Sequence, residues 1–318
     1  MMSQVVMVSL EDLVPENHIY RKFLKLWNLE SIEEQLKSIE TDRNYKGYGT
    51  SQLFKCLLLQ FMEDLSDREL EKYLQENNTA KWFCNFELID TIPNFSVFSR
   101  IRQRIGTSLL SKIFQNLRDQ LKAKGYISEF FNFVDTTHLI SKANLWKERD
   151  KIIKAKYEKL NNESLPKVAY DKEARIGCKG NNKFWYGYKK HVSVDMQSGL
   201  INKVSITPAN VSDSKGFDHI CPDRGIVYAD KAYCSEETKN IAKYNNCHMA
   251  AIKKNNMKNK NKDLDKWYSK IRSPFERVFS KQRKRVRYKG VVKNQFSAFM
   301  EAMIFNLKRL VVLEASYG

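Results

Sequence analysis

Three carboxylates stand where an acidic side chain needs a reason. Asp135 sits inside the apolar run FFNFVDTTHL, Phe130 to Leu139, whose aromatic and β-branched residues read as a buried strand. A carboxylate is seldom left in such a run without a partner, and a bound cation is the simplest one. Asp230 follows the second short apolar run GIVYA, Gly225 to Ala229, and so falls at the carboxyl end of another predicted strand, where open α/β sheets bind ligands. Glu276 lies in RSPFERVFSKQRKRVRYKG, near the start of a helical and very basic segment. Three carboxylates from distant parts of a chain can meet around metal ions, which is the chemistry this set suggests.

Each acid also has a purely structural account. Ser273, Pro274 and Glu276 make a helix start, with an N-cap, a proline at the first helical position and the glutamate of a capping box. Asp230 suits a strand end or turn, and Asp135 could bond locally to Thr136 or Thr137. Their joint occurrence favours the metal-binding reading.

The elements that must position these acids follow from periodicity. From Leu10 to about Lys124 the pattern is helical. In Tyr48 to Leu74 the residues Leu53, Cys56, Leu57, Phe61, Leu65 and Leu70 recur at helix-like spacing, interrupted at Glu63-Asp64, and Ser66 with Glu69 forms a capping-box signature. Ser96 is placed to cap a further helix carrying Arg100, Arg102 and Arg104. Beyond Asp135, residues 142–183 are rich in Lys, Glu and Asn and read as a solvated insertion. Alternating runs then return: FWYGYKKHVSV, Phe184 to Val194, and LINKVSIT, Leu200 to Thr207, flank a turn at Asp195 to Gly199 and predict a β-hairpin. A short helix is predicted at Asp213 to Ile220, a helix at Ser235 to Asn245 and a strand at His248 to Ile252. The run FSAFMEAMIFNLKRLVVL predicts a core helix.

The predicted fold class is therefore α+β. An N-terminal all-α helical domain, 1–125, precedes an RNase H-like mixed β-sheet domain with flanking helices, 126–318. In the order β, β, β, α, β, α, β the first and fourth strands can be neighbours. Asp135 and Asp230 would then lie side by side, within reach of the helix carrying Glu276.

Composition points to the partner. Lys and Arg number 55 against 37 Asp and Glu, a formal charge of +18 with pI near 9.5, which favours a polyanion, nucleic acid above all. The charge is clustered. Lys253 to Lys270 and Arg272 to Lys293 interleave basic residues with Trp267, Tyr268, Phe275, Phe279 and Tyr288, which suits phosphate contact beside bound metals. Within it KKNNMKNKNK, Lys253 to Lys262, is of low complexity and reads as a mobile loop without base specificity. Lys231, next to Asp230, could contact DNA or balance the acids. The helix from Ser96 offers Arg100 and Arg104 to phosphates, although its turn chemistry singles out no helix-turn-helix.

The start MMSQVVMVSLEDLVPENH lacks the pattern of a signal peptide, and no run reaches the roughly 18 apolar residues of a membrane span, so a cytoplasmic protein with no membrane partner is expected. Six scattered cysteines without a CxxC pair suggest neither a zinc knuckle nor a disulfide framework.

At these motifs the chain resembles bacterial DDE transposases of the insertion sequence 5 family, with their RNase H-like catalytic domain. DLVPENHIYR (Asp12 to Arg21), LLLQFMEDLSDRELE (Leu57 to Glu71) and IPNFSVFSRIRQRI (Ile92 to Ile105) resemble that family's helical domain. FVDTTHL, YGYKKHVSVD (Tyr186 to Asp195), TPANVSD (Thr207 to Asp213), ADKAY (Ala229 to Tyr233) and the segment around Glu276 resemble its catalytic domain. The resemblance covers nearly the whole chain and implies that Asp135, Asp230 and Glu276 are the catalytic, metal-holding acids. The family's Tyr, Arg, Glu, Lys signature is partly kept. Arg272 falls at the expected distance before Glu276, Tyr268 lies one position too early, and Arg283 takes the Lys position with Lys284 and Arg285 beside it.

The activity so implied is cleavage and joining of DNA strands at an element's terminal inverted repeats, on a target DNA, by a homodimer or larger synaptic assembly. Both steps are in-line displacements at phosphorus, in which charge grows on the attacking and leaving oxygens. Mg²⁺, with Mn²⁺ able to substitute, accepts a few carboxylates plus substrate phosphate. In this scheme Asp135 bridges two ions, Asp230 holds one and Glu276 the other, and no organic cofactor is needed. The alternatives are a transposase-derived DNA-binding protein that does not cut and an RNase H-like nuclease without strand transfer.

Overall fold

The computed structural model describes residues 8–40, 47–141, 169–180, 183–255, 257, 260–275 and 283–317. Glu276 and most of the predicted 142–183 insertion lie outside the described residues. The chain forms two units, one of residues 1–120 with 303–318 and the other of residues 121–302.

The first unit is helical: α1 (Leu10–Leu13), α2 (Ile19–Leu26), α3 (Glu33–Lys37), α4 (Thr50–Met62), α5 (Asp67–Glu76), α6 (Asn78–Phe83) and α7 (Phe95–Ala123), whose last residues pass into the second unit. The capping box at α5 forms as the sequence predicts, with Ser66 N donating to Glu69 and Glu69 N to Ser66 Oγ. On α4, Leu53, Phe54, Cys56, Leu57, Leu58 and Leu59 are all buried, making this helix the centre of the unit's core. The start of α7 corrects the sequence reading. Asn94, not Ser96, caps it, since Asn94 Oδ1 accepts from Ser96 N at 3.1 Å, and Ser96 lies inside the helix. Within α7, Gly106 has φ 61° and ψ −177°, so two helices meet there, and a residue without Cβ takes that left-handed φ at little cost.

The second unit is built on one sheet of β1 (Phe131–Ile140), β2 (Arg175–Lys179), β3 (Lys183–Asp195), β4 (Ile201–Pro208), β5 (Gly225–Ala229) and β6 (Cys247–Ala251). Its order is β4-β3-β1-β5-β6, with β2 paired to the first residues of β3. β1, β3 and β4 are antiparallel, while β1, β5 and β6 are parallel. This is the mixed α+β arrangement the sequence predicts. Helices α8 (Asp213–Gly216), α9 (Glu236–Tyr244), α10 (Lys262–Arg272) and the first residues of α11 (Val291–Tyr317), up to Ala302, accompany it. α8 is a single turn, shorter than the predicted Asp213 to Ile220 helix.

Side chains alternate across β1. Val134 joins Phe217, Ile220, Val227, Ala229, Tyr233 and Ala242 in a buried cluster on one face. On the other, Phe133 meets Phe275, with ring centroids 6.3 Å apart. Each such fully buried large side chain contributes roughly 1.5–3 kcal/mol. β2 was not predicted. It falls within the stretch read as a solvated insertion, yet Ala174 and Ile176 are buried, and Asp171 just before it is only 2% exposed. The Asp171 carboxylate accepts from Ser141 Oγ (2.8 Å) and Tyr188 OH (2.8 Å), so a charge-bearing residue is fixed inside by hydroxyl donors. Among the described residues no helix is long and apolar enough to cross a membrane.

Candidate active site

The parallel β1-β5 ladder pairs Phe131 with Ile226 and ends where Val134 pairs with Ala229. Asp135 and Asp230 are the next residue on each strand, so the two acids lie side by side at one end of the ladder, on the same face of the sheet. β1 continues past Asp135 through its pairing with β3, whereas β5 stops and turns into a 3-10 helix at Lys231–Tyr233.

Each carboxylate is oriented by the backbone that follows it. Asp135 Oδ1 accepts from Thr136 N at 2.8 Å, and Asp230 Oδ1 from Lys231 N at 2.6 Å. Their environments differ. Asp135 is largely enclosed, and burial pushes its carboxyl up to about 6, against the Thr136 hydrogen bond and the Arg272 charge, while the neighbouring Asp230 adds to the rise. The Asp230 side chain is 49% exposed.

Arg272 closes one side. At the end of α10, its side chain is 8% exposed, Nη1 lies 3.7 Å from Asp230 Oδ1, and the guanidinium carbon sits 5.3 Å from the Phe133 ring centroid. Its Nε is buried with no hydrogen-bond partner among the described residues. Lys231 is exposed on the turn after Asp230. Tyr268 packs its ring on Tyr228 at 5.7 Å and on Trp267 at 5.6 Å.

The basic segment after the site returns to the strand that carries Asp135. Ile140 N donates to Lys284 O (2.8 Å) and Val286 N to Ile140 O (3.0 Å), forming a parallel bridge between Ile140 and Arg285. Lys284 and Arg285 are exposed there, while Arg283 is half-buried and its guanidinium is lowered from its ordinary value by burial and by Arg287. In the helical unit Arg100 is exposed, with Nη2 on Ser96 Oγ at 3.1 Å, and Arg104 is half-buried. Arg102 is committed to structure: it forks onto Asp67 at 2.8 and 2.5 Å and reaches Gln60 at 3.1 Å. The low-complexity run 253–262 is tied at Lys253 N to Asp265 (3.0 Å) and at Met257, whose sulfur is 3.4 Å from Cys234 Sγ.

Sequence reasoning passed over the groups behind the acids. Lys190, opposite Thr137 on β3, is 3% exposed and pairs with Glu301 at 2.8 Å. Burial alone would raise Glu301, but Lys190 and the Ser297 hydroxyl hold it below the usual carboxylate range. His191, opposite Thr136, is fully buried between two hydroxyls, Thr136 Oγ1 at 3.1 Å on Nδ1 and Thr207 Oγ1 at 2.7 Å on Nε2. Burial lowers its pKa to about 4, so the ring is neutral at ordinary pH. The one available signal was alternation in KKHVSV, which placed His191 and Lys190 on opposite faces of a strand.

Among the described residues no group of three or more His, Cys, Asp and Glu side chains is set to hold a metal. The donors that do converge, two carboxylates with one largely desolvated, suit a hard divalent cation better than a soft one.

Residues 8–104 match the family model described as a transposase domain (DUF772), and residues 151–307 match the transposase DDE domain. DDE domains of this kind depend on a divalent metal. Among solved structures the chain is similar to a piggyBac transposase in a synaptic complex with hairpin DNA determined by cryo-EM, at a TM-score of 0.38 and 9% identity, over 93% of this chain and 76% of that one. With a transposase domain in its helical part and a transposase DDE domain across most of its sheet, the chain is a DDE-type DNA transposase.

Proposed function

We propose that this enzyme is the transposase of a bacterial insertion sequence of the insertion sequence 5 type, acting in the cytoplasm. In this reading it binds the element's terminal inverted repeats, cleaves the DNA strand at the element's end and joins the freed 3′-hydroxyl to target DNA. The observation that carries the reading is the placement of Asp135 and Asp230 at adjacent strand positions, next to Arg272.

Asp135, Asp230 and Glu276 would hold Mg²⁺, with Mn²⁺ as a substitute. Bound there, the metal supplies Lewis acidity toward the phosphodiester and a more acidic water or 3′-hydroxyl. The protein's own residues do the rest. Asp135 gives up its raised proton to become a ligand. Arg272 restrains Asp230 from the side and brings a positive charge beside the acids, of the kind that pairs with phosphate. Lys231, Arg283, Lys284 and Arg285 supply charge for the DNA backbone near the acids. Residues 1–125, through Arg100 and Arg104, carry the contacts that recognise the terminal repeats, and 126–318 carry the chemistry. Two ends must be brought together, so a homodimer or larger synaptic assembly is the working form.

The test is cleavage and strand transfer on DNA bearing the flanking terminal repeats, with Mg²⁺, for the natural protein and for Asp135→Ala, Asp230→Ala and Glu276→Ala. The reading requires that the natural protein join ends to target and that each variant lose both steps, by at least about a thousandfold, while still binding the repeats. Binding without cutting by the natural protein would make it a DNA-binding derivative; cutting without joining would make it a nuclease.

A further inference from the structure

The backbone ladder between β1 and β5 ends one residue before the acids, at Val134 and Ala229. Strand pairing between β1 and β5 therefore does not itself fix how far Asp135 stands from Asp230. A side-chain bond does reach across. Thr136, whose N–H orients Asp135, places its Oγ1 2.5 Å from the hydroxyl of Tyr233. Tyr233 in turn closes the turn that follows Asp230, donating its own N–H to Asp230 O at 3.0 Å. A closed circuit results: Asp135, Thr136, Tyr233, Asp230.

The circuit is braced from behind. Tyr233 is fully buried, with its ring 6.1 Å from that of Phe217. Thr136 Oγ1 also meets His191 Nδ1, and His191 Nε2 meets Thr207 Oγ1. A neutral imidazole has one donor and one acceptor nitrogen, so the ring donates to one of the two threonine hydroxyls and accepts from the other. Thr136 Oγ1 is thereby held between two partners, the His191 ring and the Tyr233 hydroxyl. Gly216 lies against the same ring; a Cβ there would come within 2.3 Å of it, so the fold leaves the imidazole no room to swing.

We infer that Tyr233 and Thr136 are positioning residues, whose hydroxyl–hydroxyl bond sets the separation of Asp135 and Asp230 for a divalent cation. The inference rests on the metal-holding role proposed for the two acids. Neither hydroxyl would touch metal or DNA. Ligand-orienting groups of this kind change metal affinity roughly 10–100-fold when removed.

The experiment uses the full-length protein and Mn²⁺ alone as probe, with free and bound Mn²⁺ read by electron paramagnetic resonance and folding read by thermal unfolding. Tyr233→Phe keeps the buried ring and removes the hydroxyl; Thr136→Val removes the other end; Thr136→Ser restores it. The expected result is a rise of roughly tenfold in half-saturating Mn²⁺ for Tyr233→Phe and for Thr136→Val, with Thr136→Ser returning to within about twofold of the natural protein. The double variant should be no weaker than the worse single one by more than about twofold, since both remove one bond. Ile220→Val loosens the same core without touching the circuit and should leave half-saturation unchanged. Natural half-saturation in Tyr233→Phe, or a shift in Ile220→Val as large as its own, overturns the inference. Unchanged Mn²⁺ binding in Asp135→Asn would instead remove the metal-site reading beneath it.

Discussion

Arg272 Nη1 stands 3.7 Å from Asp230 Oδ1 with the guanidinium over the Phe133 ring, so one buried cation serves the acid just past β5 while resting on the strand that carries the other acid. The pair contributes little to stability, because Asp230 is half exposed and water screens it. Its value is electrostatic and local. Arg272→Met, which preserves the packed stem, is expected to change stability by less than about 1 kcal/mol by denaturant unfolding. The same variant should lower strand cleavage at least about tenfold, because the largest charge opposing the mutual repulsion of the two carboxylates is then gone when metal is scarce.

Burial lifts the Asp135 carboxyl from its ordinary 3.8 to about 6, which amounts to about 3 kcal/mol against its charged form. The folded metal-free protein therefore holds this proton more tightly than the unfolded chain does. That contribution to stability is fully present below about pH 4 and is lost as pH rises through about 6. Denaturant unfolding in a chelator should show Asp135→Asn gaining on the natural protein between pH 4 and pH 7 by up to about 3 kcal/mol. Metal binding has the opposite trend: affinity should rise about tenfold per pH unit up to pH 6 and level off above it. A flat profile from pH 5 to 7 would contradict the buried state of Asp135.

Two arginines two positions apart on α7 should separate cleanly. Arg102→Ala strips a forked partner from Asp67 and a donor from Gln60, and should cost about 2 kcal/mol in thermal unfolding. Arg100→Ala should alter stability by less than about 0.5 kcal/mol yet weaken binding to the terminal repeats.

Lys284 and Arg285 hold their place on β1 through main-chain bonds, so losing their side chains leaves the bridge to Ile140 intact. The variant carrying Lys284→Ala and Arg285→Ala should unfold at the natural temperature. Its binding to DNA should lose about two units of salt slope if both side chains contact phosphate.

Gly216→Ala puts a methyl group against the His191 ring, with 2.3 Å available to its nearest atom. The expected cost is about 1–3 kcal/mol in thermal unfolding. The ring's shift should be visible in the imidazole NMR signals.

Much of this molecule was legible because its signals are local or periodic. GIVYA announces β5 residue for residue, and the antiparallel hairpin of β3 and β4 follows from alternation around one turn. The adjacency of β1 and β5 came from element order, since a mixed sheet with this sequence of strands and helices has few ways to bury both faces. What escaped depends on distant partners. RIGCK is too short and polar to read as a strand, and becomes one by pairing with Lys183 to Gly187 of β3. Asp171 and Glu129 look like solvent residues until Ser141, Tyr188, Lys122 and Asn202 close around them. Thr136, His191 and Tyr233 lie inside FVDTTHL, YGYKKHVSVD and ADKAY, but three separate segments have to fold before they form a row.

The make-up of the helical unit has a consequence for how the protein is born. Residues 303–318 belong with residues 1–120, and within them Met303, Leu307 and Leu310 are buried and Lys308 Nζ bonds to Met62 O at 2.9 Å. The helices of residues 1–120 must therefore wait for residues 303–318, through the whole of residues 121–302, before their core can close. At ordinary rates of synthesis that delay is on the order of 10–40 s. A nascent chain released early would carry a complete set of sheet residues beside an unfinished helical core, a natural substrate for proteolysis instead of a half-working enzyme.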